Sequence, residues 1–339
     1  MNNRFNNRIR PATYLLLIMV FVLIVLWALS VGAATVPLSR SLKLLFMPWL
    51  SDDGNTSAAI ILYARLPRII LALLTGGALS LAGVASQALF RNPLASPYVI
   101  GVSNGAALGA VAGIFLTGAL GFYSVPLFSI VAGLAVMAFI LYVAGDKADF
   151  SNCLLLTGIA LNAFCSALTA AILFMSEERL QGIVFWLMGG LWKAGWDGVW
   201  LLLVVVVAGF CVLYVLAPEL NLLLLGERAA AETGVNVLRT QRVVVVVIAV
   251  LTAICISLTG VIGFVGLLVP HIFRMLFGAD HRKLLPAAFF GGGMFMLVAD
   301  TLARTLAAPQ EIPVGIITSL AGAPFFMWLL LNKQRSWKR

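Results

Sequence analysis

Residues Gly260–Pro324 read GVIGFVGLLVPHIFRMLFGADHRKLLPAAFFGGGMFMLVADTLARTLAAPQEIPVGIITSLAGAP. The stretch is almost wholly apolar, yet Gly and Pro break it and its charges sit in short, separated clusters. A soluble core would not need 65 such residues in a row. Helices packed against one another in a bilayer would, because small residues let their backbones approach and every peptide group is satisfied within its own helix.

The rest of the chain carries the same pattern. Of 339 residues, 62% are hydrophobic and 10% are charged, whereas a soluble domain carries about a quarter charged residues. So much apolar surface cannot be hidden inside one soluble core, and the bilayer must be the solvent for most of it. The formal charge of +9 does not point to nucleic acid. The basic residues lie in short loops between apolar runs, where they report topology. Cys153, Cys165, Cys211 and Cys255 fall inside apolar runs without metal-ligand spacing and read as reduced packing residues.

Runs of about 20 apolar residues cross a bilayer. They are found near residues 13–34, 69–89, 99–120, 126–144, 153–175, 199–216, 243–262, 264–277, 285–298 and 313–331. The expected fold is therefore all-α, a polytopic membrane protein with ten transmembrane helices in a single domain over residues 1–339. The first run follows three arginines in MNNRFNNRIR. It is too long for a signal-peptide core of about 7–15 residues and reads as a retained helix with a cytoplasmic N-terminus. Ten crossings return the C-terminal cluster NKQRSWKR to the same side. This assignment puts 15 of the 22 Lys and Arg residues inside and 7 outside, the sign the positive-inside rule requires. The seven are Arg40, Lys43, Arg65, Arg68, Arg179, Lys193 and Arg304. The segment Gly182–Gly190, GIVFWLMGG, is too short to span and reads as an interfacial helix or an extension of a neighbouring span. Thr75, Gly76, Gly77, Ala78, Ser80 and Gly83 in the second span read as helix-packing residues, as do Gly291, Gly292 and Gly293 opening the ninth.

Three features bear on function. Ionisable residues are scarce at span centres: Asp300, Arg304 and Glu311 sit at an outer end, His271 and Arg274 toward an inner one. That scarcity argues against an ion-coupled carrier and for energy supplied from outside the chain. The loop Leu220–Arg242, LNLLLLGERAAAETGVNVLRTQR, reads as a short helix, then a turn at Thr233-Gly234, then re-entry, a shape suited to insert into a partner's cleft. The outer arginines Arg65, Arg68 and Arg304 occupy the disfavoured face, where they either meet carboxylates of a docking partner or snorkel to headgroups. The sequence holds no GxxxxGK[ST] phosphate loop, no HExxH pair and no Ser-His arrangement, so neither ATP hydrolysis of that type nor intramembrane hydrolysis is expected of it.

The segments ARLPRIILALLTGGALSLAGVASQALFRNPLASPYVIGVSNGA, LLLLGERAAAETGV, GFVGLLVPHIFR, LVADTLAR and EIPVGIITSLAGAPFF occur in that order. They resemble the permease subunits of ABC importers for ferric siderophores, haem and vitamin B12, over residues 60 to 331. The resemblance implies a permease working with a second permease subunit, identical or paralogous, in the bacterial cytoplasmic membrane. It also implies two cytoplasmic ATPase subunits and an extracytoplasmic substrate-binding protein. ATP and Mg would bind on the ATPases, with no cofactor on this chain. It implies a coupling loop over residues 220–238, with Leu225, Gly226, Glu227, Ala230, Thr233 and Gly234 at the ATPase contact. It implies docking of the binding protein by Arg65, Arg68 and Arg304, and an inner gate at Ser151 and Asn152, with Asn where the family pattern has a small hydroxyl. The expected cargo is a bulky iron chelate, with cobalamin and ion-coupled carriage as alternatives. A bare ion would need a cage of oxygen or nitrogen ligands, and the spans supply none.

Overall fold

The computed structural model describes residues 11–32, 37, 39, 41–43, 56–116, 124–145, 149–176 and 179–337. The arginines of the N-terminal arm, together with Arg40, Lys147, Lys338 and Arg339, lie outside them. The described residues are helical and contain no strand.

The long helices are α1 (Pro11–Ser30), α2 (Leu66–Leu89), α3 (Val102–Phe115), α4 (Ser124–Ala144) and α5 (Phe150–Met175). A short α6 (Leu180–Leu187) follows, then α7 (Trp196–Val215), two further short helices α8 (Ala217–Leu223) and α9 (Glu227–Glu232), and α10 (Val237–Thr259). The chain ends with α11 (Val265–Phe277), α12 (His281–Thr305) and α13 (Val314–Trp337). Six helical stretches are long and apolar enough to cross a membrane: Ser57–Leu89, α4, α5, α7, α10 and α12. The other four expected crossings fall on shorter apolar helices. In the case of α11 the break is visible. Phe264 adopts a left-handed φ of 66° before it, and Gly278, with φ 84°, closes it. Its 13 residues reach about 20 Å, short of the roughly 30 Å hydrocarbon core.

The mast of the fold is α2, buried along nearly its whole length. It packs most extensively on α12, and also on α10, α11 and α7. Close approach of backbones explains its small residues. A Cβ on Gly76 would lie 2.1 Å from the Gly292 carbonyl oxygen, and one on Gly83 would lie 1.9 Å from that of Gly266. Only hydrogen fits at either place. The same logic joins α3 to α4, where Gly109 leaves no room for a Cβ beside the Phe128 carbonyl. Since α12 begins at His281, Gly291–Gly293 lie at its middle and do not open it as the sequence suggested. They sit where α2 crosses.

The second span is expected to begin at Ile69, but the segment ARLPR before it is helical too. Thr56–Ala59, a π-helical stretch Ile60–Arg65 and α2 run on as one helix. Pro67 cannot donate to a carbonyl one turn back, and the turn just before it is the wider π turn, with the Leu66 amide on the Ile61 carbonyl. The short helix expected over Gly182–Gly190 is present as α6, separate from α5 and α7. Gly189, at φ 72°, ends its last turn, and the Gly190 amide bonds the Thr259 carbonyl at the end of α10.

Candidate functional site

Two polar clusters lie at opposite ends of the bundle. The first gathers where α1 and α12 end and α2 begins. The Arg68 guanidinium is held between two carboxylates. Nε and one terminal nitrogen donate to Asp300 at 3.0–3.2 Å. Both terminal nitrogens donate to Glu311 at 2.9 Å. Arg304, one helical turn beyond Asp300, ion-pairs with it through Nε at 3.2 Å. Its terminal nitrogen reaches the Ala28 carbonyl at 3.4 Å. Arg65 donates to the Leu29 carbonyl at 2.6 Å. Two guanidinium groups thus cover the carbonyl-bearing end of α1, where the helix dipole favours cations. Asp300 has no exposed side-chain surface, Arg304 has 6% and Arg68 has 12%. Burying a carboxylate so completely is costly unless it is paired, as it is here.

All three sequence-predicted arginines therefore converge. Arg68 and Arg304 meet carboxylates of their own chain, which the spacing of the sequence did not reveal: Asp300 and Glu311 stand 232 and 243 residues from Arg68. Among the described residues the cluster holds three cations and two carboxylates. The cluster opens onto a cleft of 270 Å³ walled also by Tyr63 and Trp192.

The second cluster centres on Glu227. Its Oε1 accepts from Arg91 at 3.3 Å, from the Ser151 hydroxyl at 3.2 Å and from the Gln241 amide at 3.1 Å. Gln241 also donates to Ser151, at 3.1 Å. One carboxylate thereby ties α9 to the end of α2, the start of α5 and the first turns of α10. Arg91 and Gln241 were not singled out from the sequence. The charge of Arg91 was its only signal, and it was read as topology.

Local sequence dictates how α9 is presented. Gly226, at φ 115°, makes the turn into it. Its end is a Schellman closure: Gly234 N–H bonds the Ala231 carbonyl and Val235 N–H bonds that of Ala230, with Gly234 at φ 88°. Thr233 adds a hydroxyl bond to the Ala230 carbonyl at 2.7 Å. Ala230 is buried and Glu227 turns toward the bundle, whereas Leu225, Thr233 and Gly234 are exposed. The open cleft beside α9 measures 560 Å³ and is walled by Leu225, Gly226, Arg228 and Glu232. The two gate positions diverge: Ser151 is buried on Glu227, while Asn152 is exposed and donates to Asp149 at 2.9 Å.

A further polar contact fastens this end. Asp280 caps α12 by accepting from the Arg282 amide at 3.1 Å and also accepts from Asn221 at 3.0 Å. Partial burial alone would raise the Asp280 pKa, but these bonds and the nearby Lys283 and His281 hold it below the usual carboxylate value. Among the described residues, no group of three His, Cys, Asp or Glu side chains is placed to hold a metal ion.

Comparison with known proteins follows this geometry. The profile of the FecCD transport family matches residues 18–332. The uncharacterized ABC transporter permease protein YvrB of Bacillus subtilis (strain 168) is 38% identical, over 98% of this chain and 96% of its own length. The hemin transport system permease protein HmuU of Yersinia pestis is 40% identical, over 97% and 98%. The cobalamin import system permease protein BtuC of Halobacterium salinarum is 43% identical, over 83% and 75%. Among solved structures, one described as an inward-facing conformation of a metal-chelate type ABC transporter superposes with a TM-score of 0.84 at 33% identity. The match covers 95% of this chain and 99% of that one.

Proposed function

The chain belongs to the FecCD transport family, and from that membership we propose that it carries a bulky iron chelate, a ferric siderophore or haem, across the bacterial cytoplasmic membrane. The observation that carries this reading is the match along nearly the whole chain, at 40% identity, to a hemin permease. The nearly equal likeness to a cobalamin permease favours cobalamin as the second reading. In either case the chain is the membrane component and crosses ten times with both termini in the cytoplasm. It pairs with a second permease and takes its energy from ATP and Mg bound on two ATPase subunits.

Each cluster has a role in this scheme. The arginine end is the outer face. Its cleft and its arginines receive acidic groups of the substrate-binding protein, with Arg65, Arg68 and Arg304 held in place by Asp300, Glu311 and the end of α1. The Glu227 end is the inner face. There Leu225, Gly226, Thr233 and Gly234 meet the ATPase, Ala230 anchors α9, and Glu227 passes its motion to Ser151 at the start of α5. Ser151 and Asn152 mark the gate, with Ser151 as the linked member. Reconstitution with ATPase and binding-protein partners, offering haem, a ferric siderophore and cobalamin in turn, tests the reading. ATP-dependent uptake of one of the iron chelates is the expected result, and uptake of cobalamin alone would replace it by the second reading.

A further inference from the structure

Between α1, α11 and α12 lies a groove of 530 Å³ away from both polar clusters. Its walls are aromatic: Phe21 from α1, Phe273 and Phe277 from α11, and Phe290 from α12. Phe273 and Phe277 stack at 5.6 Å, and Phe21 meets Phe290 edge to face at 6.3 Å. At one end of the groove stand Arg282 and Lys283, both exposed. Neither forms a salt bridge with a described residue. Two cations in the first turn of a helix oppose its dipole, and the capping Asp280 offsets this only in part, through Lys283.

Length identifies the occupant. From Lys283 at the charged end to Met294 at the far end, α12 advances about 17 Å at 1.5 Å per residue. Half of a hydrocarbon core of about 30 Å is about 15 Å. A ligand with an anionic head at Arg282 and Lys283 and an apolar tail ending near the middle of α12 therefore spans one leaflet. The geometry points to a bound anionic phospholipid of the cytoplasmic leaflet, its phosphate on Arg282 and Lys283 and an acyl chain along the four phenylalanines. Aromatic and aliphatic walls take the chain, and paired cations select against a zwitterionic head. This inference rests on the proposed reading only in assigning this end of the bundle to the cytoplasmic side.

The test is lipid retention by the purified full-length chain in mild detergent, read by native mass spectrometry during titration with phosphatidylglycerol or phosphatidylcholine. Wild type should retain phosphatidylglycerol and discriminate against phosphatidylcholine. Arg282→Gln with Lys283→Gln should weaken phosphatidylglycerol retention by about 25-fold, at about fivefold per cation near an anionic surface. Arg228→Gln with Arg239→Gln removes the same charge elsewhere and should leave retention unchanged. Ala287→Trp fills the groove and should displace the lipid with both cations in place. Circular dichroism and size-exclusion profiles establish that each variant is folded. Equal retention of the two lipids, equal retention by all variants, or no retained phosphatidylglycerol would each overturn the site. Because retention is read without partner subunits, its failure leaves the importer reading standing, and failed transport leaves the lipid result standing.

Discussion

Asp300 has no solvent-exposed side-chain surface and two guanidinium neighbours, Arg68 and Arg304. Removing one partner of such a buried pair costs about 3–5 kcal/mol, because the remaining charge is stranded. Arg68→Ala should therefore lower the thermal unfolding midpoint of the purified chain sharply. Combining Arg68→Gln with Glu311→Gln should recover much of the loss, since Asp300 keeps its pair with Arg304 and no carboxylate is left without a cation. No recovery in the double variant would mean that the pair is not what stabilises this end. A docking assay on Arg68→Glu alone would confound folding with binding, so it must be read on protein shown to be folded. At this scale the sequence was half legible. The arginines stood out because the charge rule disfavours them there, but their partners come from the end of α1, from α12 and from the segment before α13, and no local spacing announces them.

At the scale of elements, apolar run length found the long helices, and small residues marked the α2–α12 crossing. What composition could not give was where helices start. Asp280 and Asn236 set the starts of α12 and α10 through side-chain caps, and such a cap is one polar residue in a loop. Nor could it give the continuity of the helix through Pro67, because a proline ordinarily reads as a boundary. The crossing yields a paired prediction. Gly76→Ala places a Cβ 2.1 Å from the Gly292 carbonyl oxygen and should destabilise by about 1–3 kcal/mol, as overpacking does. Gly182→Ala in α6 meets nothing within 4 Å and should be neutral or slightly stabilising, since Ala is the better helix former by up to about 1 kcal/mol. Thermal midpoints of the two variants decide it, and equal effects would refute close backbone packing as the cause. In α9, Gly234→Ala puts a side chain on a left-handed residue at about 1–2 kcal/mol. It should loosen α9 while the bundle melts as before, visible as faster local amide exchange at Ala231–Val235.

At the scale of the whole molecule, one cluster faces each end of the bundle and the long helices join them. The Glu227 network is where motion of α9 can reach α5. Glu227→Ala removes the acceptor of three hydrogen bonds at once, and loss of even one charge-assisted bond corresponds to about tenfold or more. In the assembled transporter it should cut uptake by at least that factor while ATP hydrolysis continues, and Glu227→Gln, which keeps an acceptor oxygen, should be milder. Normal uptake by the alanine variant would make the network a mere fastening. The measurement that bears most directly on the central claim is uphill uptake in proteoliposomes containing this chain with and without its ATPase subunits, binding protein and ATP. The account predicts accumulation of the chelate only when all are present and none by the chain alone under an imposed proton or sodium gradient. Gradient-driven accumulation by the chain alone would contradict it.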